Sequence, residues 1–408
     1  MSLNLLLQEY KEDSLSGSKW HVLKQSIIKN LLVGGDSTIA DLSVGVQSSI
    51  PTVTKAINEL MSNQVVEDLG KIANTGGRRP SLYSVIPSSG FMLGVVVGRT
   101  SLSLGLQNIK NEFVFEEHKD KFILEENTKS LEELALHIRS FIARSEVDKD
   151  KIVSACISVS GRINSEEGIS DKPFFNAKKP FSQDLSERIG LPVILENDTR
   201  VMTCGEYAQG NIGKEDNVIF LNYDWGVSIG IVINGKIYYG KSGYSGEFGH
   251  SPLFDNKVLC YCGKEGCLET EVSGGALVRQ FKEELTRGRQ SLISIPKDSP
   301  FTYIDILNGA LEQEDSLCLD LITTQCDKMG KHLAMLLNLF NPGALIIGGE
   351  FARLNDFVLL PIQASIRKHS VSLVTKDVAI RLSETAGSRS AMIGTCYVVK
   401  EHLLAKLS

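Results

Sequence analysis

No run of about 18 apolar residues occurs in the chain, which excludes a simple membrane-crossing helix. Low-complexity tracts and short-period repeats are also missing, so fibrous and solenoid architectures are excluded. A basic excess is missing: the net charge is −6 over 408 residues. Even residues 1–86 balance, with eight Lys/Arg against eight Asp/Glu. Bulk charge therefore does not announce nucleic acid, and any such reading rests on local placement. The opening "MSLNLLLQEYKEDSLSG" lacks the basic start of a secretory signal, and its leucine run is expected to dock on the protein instead. Paired cysteine spacing is scarce. Cys156, Cys204, Cys318, Cys326 and Cys396 stand singly among apolar neighbours and are expected to be reduced and buried. What remains is a globular, cytoplasmic protein of more than one domain.

The first domain is legible from its helix signals. Leu23, Ile27, Ile28, Leu31 and Leu32 fall on one face of a helix over residues 18–33, and Gly34-Gly35 stop it. In "DSTIADLSVGVQSSIPTVTKAINELMSN", Ser37 or Thr38 can cap a short helix. Ser49 can cap a third helix with Pro51 in its first turn, where a missing N–H costs nothing. Val53, Ile57, Leu60 and Met61 form the apolar stripe of that helix. Two strand-like runs, "VVEDLGK" and "PSLYSVI", flank "IANTGGRRP" as a hairpin. This order is that of a winged helix-turn-helix domain over residues 1–86. Recognition helices present their N-terminal residues to base edges. Ser49, Pro51, Thr52 and Lys55 are therefore the expected DNA contacts, with Arg78 and Arg79 on the wing following phosphates or a narrow groove. The expected partner is a double-stranded operator, bound by a homodimer or homotetramer.

After the linker "IPSSG" the pattern becomes α/β over residues 87–408. Three short strands ("FMLGVVVG", "SLSLGLQN", "EFVFEEH") precede a helix near 128–144, whose apolar positions are Leu131, Leu134, Leu136, Ile138 and Ile142. Buried strands follow at "KIVSACISVSG" and "LPVILEND", with a helix at "FSQDLSERIG" between them. A second series begins with "NVIFLNYD", "VSIGIVING" and "KIYYG". It continues with long helices near 270–288 and 315–340, the strand "GALIIGG" and a last helix near 387–405. Strands then helix–strand alternation, given twice, predicts two related lobes.

One stretch carries metal chemistry. "GEFGHSPLFDNKVLCYCGKEGCLETE" holds His250, Cys260, Cys262 and Cys267 within the loop 250–267. Three thiolates and an imidazole complete a tetrahedral zinc shell with no open position, so one structural zinc per chain is expected. Gly263 and Gly266 allow the tight return to the same ion.

These residues resemble the ROK family, which contains sugar-responsive repressors and sugar kinases. "GEFGH…CYCGKEGCLE" is similar to its zinc motif, "LENDTR" to its E-N-D-x-N element and "FNPGALIIGGE" to its adenosine-side element. The resemblance implies a two-lobe, actin-like (RNase H-like) fold that binds a carbohydrate effector. It implies sugar contacts at Asn197, Asp198, Glu247, His250 and Glu269; Asn176, in the loop "GRINSEEGISDKPFFNAKKPF", is an expected extra contact outside that set. His250 would then give one ring nitrogen to zinc and turn the other towards the sugar or a carboxylate.

The same resemblance separates regulator from kinase. Asp198 stands where kinases keep their base. The phosphate elements depart from the pattern: "VVGRT" stands for D-x-G-G-T, with Val96 and Arg99 replacing Asp and Gly, and "DWGVSIG" replaces a glycine-rich run. Phosphoryl transfer rests on positioning and charge neutralisation, so two altered phosphate loops outweigh one retained base. The expectation is a non-enzymatic, sugar-responsive transcriptional regulator, with an ATP-dependent hexose kinase as the alternative.

Overall fold

The structure is a computed structural model that describes residue 3 and residues 15–71, 80–125, 127–171, 179–213, 215–296, 300–385 and 387–407. The chain divides into two compact units, residues 1–197 with 395–408, and residues 198–394.

From residue 15 the first unit carries α1 (Leu15–Gly34), α2 (Ile39–Gly45) and α3 (Ile50–Ser62). Thr38 caps α2 through a reciprocal box with Asp41, and Ser49 caps α3 with Pro51 in the first turn. Val53, Ala56, Ile57 and Leu60 of α3 are buried with Ile27, Ile28, Leu31 and Leu42. Strands β1 (Ser37–Thr38), β2 (Val66–Lys71) and β3 (Ser81–Val85) form a small sheet in the order β1-β3-β2. This is the expected helix-helix-helix-hairpin order; the wing arginines Arg78 and Arg79 lie outside the described residues.

Next comes a five-stranded sheet. Strands β4 (Phe91–Val97), β5 (Ser101–Asn108) and β6 (Phe113–Asp120) form an antiparallel meander. Strands β7 (Ile152–Val159) and β10 (Val193–Asn197) add in parallel, giving the order β10-β7-β4-β5-β6. A small hairpin, β8 (Ile163–Asn164) and β9 (Ile169–Ser170), follows β7. Central β4 and β7 are buried throughout, which is why they read as unbroken apolar runs. Helices α4 (Thr128–Arg144) and α5 (Phe181–Ile189) pack in the same core. One expected core position fails: Leu136 is 56% exposed. It sits two residues from buried Leu134, across the helix, and Ala135 and Phe141 complete the inward face instead.

Leu3 is fully buried. Its side chain lies where a Cβ on Gly90 would be 3.0 Å from Leu3 Cδ2. The leucine run itself, Leu5–Leu7, lies outside the described residues.

The second unit repeats the sheet. Strands β11 (Val218–Tyr223), β12 (Val227–Ile233) and β13 (Lys236–Ile237) form an antiparallel meander. Strands β14 (Ala344–Gly348) and β15 (Ala379–Leu382) add in parallel, for the order β13-β12-β11-β14-β15. Helix α6 (Asp198–Ala208) precedes this sheet. Helices α7 (Gly274–Thr286), α8 (Tyr303–Gln313), α9 (Ser316–Phe340), α10 (Asp356–His369) and α11 (Ser372–Asp377) lie between β13 and β15. Phe281, Ile322, Cys326, Met329 and Ile362 join β11 and β14 residues in its core. Helix α12 (Gly387–Lys406) starts in the second unit and ends in the first. Cys156, Cys204, Cys318, Cys326 and Cys396 are buried and in no disulfide, as their settings implied.

Candidate metal centre and ligand site

The metal loop is assembled by two short backbone returns. An isolated bridge pairs Pro252 with Cys267, and Leu268 N donates to Ser251 O at 2.9 Å. This sets Cys267 beside His250. A second bridge pairs Leu259 with Glu265, and Cys260 N donates to Lys264 O at 2.8 Å, which folds Cys260 and Cys262 back on the same point. Gly266 has φ +73°, and a Cβ there would collide with Phe254 O, so the return requires glycine.

The four donor atoms lie within 4.8 Å of one another. His250 Nδ1 is 3.5 Å from Cys260 Sγ, and Cys262 Sγ is 3.6 Å from Cys267 Sγ. A tetrahedral ion with metal–sulfur bonds of about 2.3 Å has ligand atoms spaced close to these values. Burial pushes the Cys267 thiol up to about 12, and neighbouring Cys262 and Cys260 add to the shift. Burial also raises Cys260. Three crowded thiols disfavour free thiolates, and a cation at their centre reverses that preference. The quartet could therefore hold a metal ion, and the chemistry of its donors fits one.

The outer face of the loop carries carboxylates. His250 Nε2, the nitrogen turned from the thiols, is 2.9 Å from Tyr261 Oη and 3.6 Å from Glu247 Oε2. Glu269 Oε2 accepts from Val227 N at 3.0 Å. That approach needs Gly226, whose Cβ would stand 2.6 Å from the carboxylate oxygen. The loop is also tied to α9: Asn256 donates to Glu271 at 2.8 Å, Lys328 pairs with Glu271 at 2.6 Å, and Phe254 meets His332 edge-on at 5.1 Å.

Asp198 opens α6, and its Oδ1 accepts from Thr199 N at 2.7 Å. Thr199 Oγ1 lies 2.5 Å from Ser228 Oγ and accepts from Asn222 Nδ2 at 3.1 Å. Ser228 is next in β12 to Val227, the residue that holds Glu269. Asp198, Glu247, His250 and Glu269 thus all belong to the second unit, with Asp198 and Glu269 linked through Thr199 and Ser228. Asn197 closes β10 in the first unit, and its Nδ2 donates to Gly161 O at 3.0 Å. Asn176 lies outside the described residues. Sequence reading passed over Thr199, Asn222 and Ser228. The available signals were a polar residue inside the apolar run "VIFLNY" and a serine at a glycine position in "DWGVSIG".

The stretch "DWGVSIG" begins at an aromatic wall. Asp224 Oδ1 accepts from Trp225 N at 2.6 Å and from the Tyr303 hydroxyl. Tyr223 stacks on Phe351 at 3.8 Å, Tyr303 on Phe351 at 6.1 Å, and Trp225 meets Tyr303 edge-on.

On α3, Ser49, Pro51 and Lys55 are exposed and Thr52 is half-buried. Ser49 Oγ is 2.7 Å from Thr52 Oγ1. Lys55 Nζ lies 5.1 Å from the Trp20 ring centroid. Trp20 Nε1 donates to Glu59 at 2.8 Å, which fixes the ring beneath the lysine.

A duplicated α/β sheet with a Cys/His loop and carboxylates in its second half, preceded by a helical hairpin module, defines the class. The ROK family model matches residues 92–402, and the chain belongs to the ROK family. It is 27% identical to the DNA-binding transcriptional repressor Mlc of Escherichia coli, over 88% of each chain. It is 26% identical to the xylose repressor of Bacillus subtilis, over 94% of this chain and 96% of the relative. Among solved structures, a ROK family transcriptional regulator described as a homologue of E. coli Mlc superposes with a TM-score of 0.79 at 25% identity, covering 95% of this chain and 98% of that one. A ROK family glucokinase from Streptomyces griseus, solved with glucose and AMPPNP, gives 0.64 at 25% identity and covers 76% of this chain and 99% of the kinase.

Proposed function

We propose that the chain is a sugar-responsive transcriptional repressor. The observation that carries this reading is coverage. The likeness to proteins named as repressors extends over 88% to 94% of the chain, whereas the likeness to the glucokinase extends over 76%. Residues 1–86 would bind a double-stranded operator, and residues 87–408 a carbohydrate effector. Ser49, Pro51, Thr52 and Lys55 read the groove, while Arg78 and Arg79 follow the backbone. Asn197, Asp198, Glu247, His250 and Glu269 bind the sugar, since carboxylates, an amide and an imidazole supply the directional partners that a polyhydroxylated ligand needs.

His250, Cys260, Cys262 and Cys267 hold one zinc per chain. With four protein ligands it supplies no open position and serves to brace the loop that carries Glu247 and Glu269. Differential affinity of the sugar for two arrangements of the chain shifts the population able to bind DNA. A homodimer or homotetramer matches a two-fold operator. No helix among the described residues is long and apolar enough to cross a membrane, and we place the repressor in the cytoplasm.

The test is a thermal-shift screen of the full-length protein with free sugars, sugar phosphates and Mg²⁺–ATP, followed by operator binding with the stabilising sugar. Stabilisation by one sugar and none by ATP is the expected result. The second reading, a hexose kinase, draws on Asp198 and the glucokinase likeness. ATP-dependent phosphorylation of a hexose, abolished by Asp198→Asn, would establish it in place of the first.

A further inference from the structure

The turn between β5 and β6 reaches the DNA-binding module. Lys110 Nζ donates to Asp36 Oδ1 at 2.8 Å and to Ser84 Oγ at 2.6 Å, and Ser84 Oγ donates to Asp36 Oδ1 at 2.6 Å. The three groups close a triangle. Asp36 sits between α1 and β1, and Ser84 sits in β3, the strand that leads from the wing into the linker. Ser84 is only 2% exposed, and without Asp36 its hydroxyl, as donor, keeps only the long contact to Val85 O at 3.4 Å. Hydrogen bonds from Lys110 and Ser84 hold the Asp36 carboxyl below its usual range.

The turn itself is stiff. Asn108 Oδ1 accepts from Lys110 N at 2.9 Å and from Glu112 N at 3.1 Å, and Gln107 Nε2 donates to Asn111 O at 2.9 Å. Ile109 N donates to Gly90 O at 3.1 Å, at the end of the linker. On its other side the turn is held by the last helix: Lys400 Nζ donates to Asn111 Oδ1 at 2.9 Å. That helix begins against α6, where Ser390 Oγ bonds Met202 O at 3.2 Å and Glu206 Oε1 at 3.3 Å. Helix α6 is the one opened by Asp198.

We propose that Lys110, bridging Asp36 and Ser84, is a latch that fixes the orientation of the DNA-binding module for operator binding. This rests on the repressor reading. A partly exposed ion pair is weak enough to open, and the buried serine gives each state a definite hydrogen-bond balance. Half-site spacing demands a fixed module orientation, so a loosened module binds its operator less well.

The experiment uses the full-length protein and a duplex that the wild type selects from random-sequence DNA. Affinity is measured by fluorescence anisotropy for Lys110→Met, Asp36→Asn, both together, and the exchanged pair Asp36→Lys with Lys110→Glu. Each single change is expected to weaken binding about fivefold, the double no further than a single, and the exchanged pair to recover most of the loss. Unchanged singles, or additive effects in the double, would overturn the latch. If the wild type selects no duplex, the DNA-binding reading fails separately, and hydrogen exchange then decides the latch. Amides of residues 84–90 and 108–112 should exchange faster in Lys110→Met than in wild type, and equal rates would refute it.

Discussion

The two five-stranded sheets have the same strand order and direction, yet they carry different equipment on their turns. In the first, the β5–β6 turn is short and meets Asp36 and Ser84 of the helical module. In the second, the connection after β13 is long and holds the cysteine quartet, Glu247 and Glu269. Under the proposed function, one scaffold used twice would support an output end and an input end. Much of the difference lies in connections, where a rigid sheet can position side chains without committing its core.

That contrast can be broken most severely at the metal loop. Cys267→Ser should reduce zinc from one per chain to near none, lower the melting temperature by about 5 °C or more and abolish sugar-induced stabilisation. Metal analysis with a melting curve checks this, and full zinc retention would remove the quartet from the account. Next in size are Asp198→Asn and Glu269→Gln. Each removes a charged hydrogen-bond partner, so titration calorimetry should find sugar binding weakened about tenfold or more, with zinc content intact. An equal loss of zinc would mean that these carboxylates support the loop and not the ligand.

The output end should respond more gently. Lys55→Ala should weaken operator binding about fivefold and relax specificity at one base position, as expected for one lost base-edge contact. A loss uniform across sequences, with a salt slope lower by about one, would instead make Lys55 a phosphate contact.

The smallest effect concerns Glu206. Burial raises its carboxyl above the usual range, despite hydrogen bonds from Ser383, Asn211 and Ser390. The folded state therefore holds this proton more tightly than the unfolded chain. Its contribution is fully present below the ordinary glutamate range and is lost as pH rises through the raised value. Glu206→Gln should flatten that part of the stability–pH curve, measured by denaturant unfolding. An unchanged slope would assign the dependence elsewhere.

Much of this was legible in the residues. The caps at Thr38 and Ser49, the apolar runs of β4, β7, β11 and β14, and the metal quartet follow from local chemistry. Helices α8, α10 and α11 did not stand out. Pro361 lies inside α10, where a proline ordinarily ends a helix, and α11 has only six residues. "KIYYG" reads as a strand, but β13 stops at Ile237. The link Asp198–Thr199–Ser228–Val227–Glu269 joins residues far apart in sequence through a β-hairpin and a helix start, so no local pattern announces it.

The most direct test of the central claim is operator binding by the full-length protein with and without the sugar that stabilises it. The sugar is expected to raise the operator Kd by about tenfold or more, while Mg²⁺–ATP leaves it unchanged and no sugar phosphate forms. An operator Kd indifferent to every stabilising sugar, or turnover of ATP with a hexose, would contradict it.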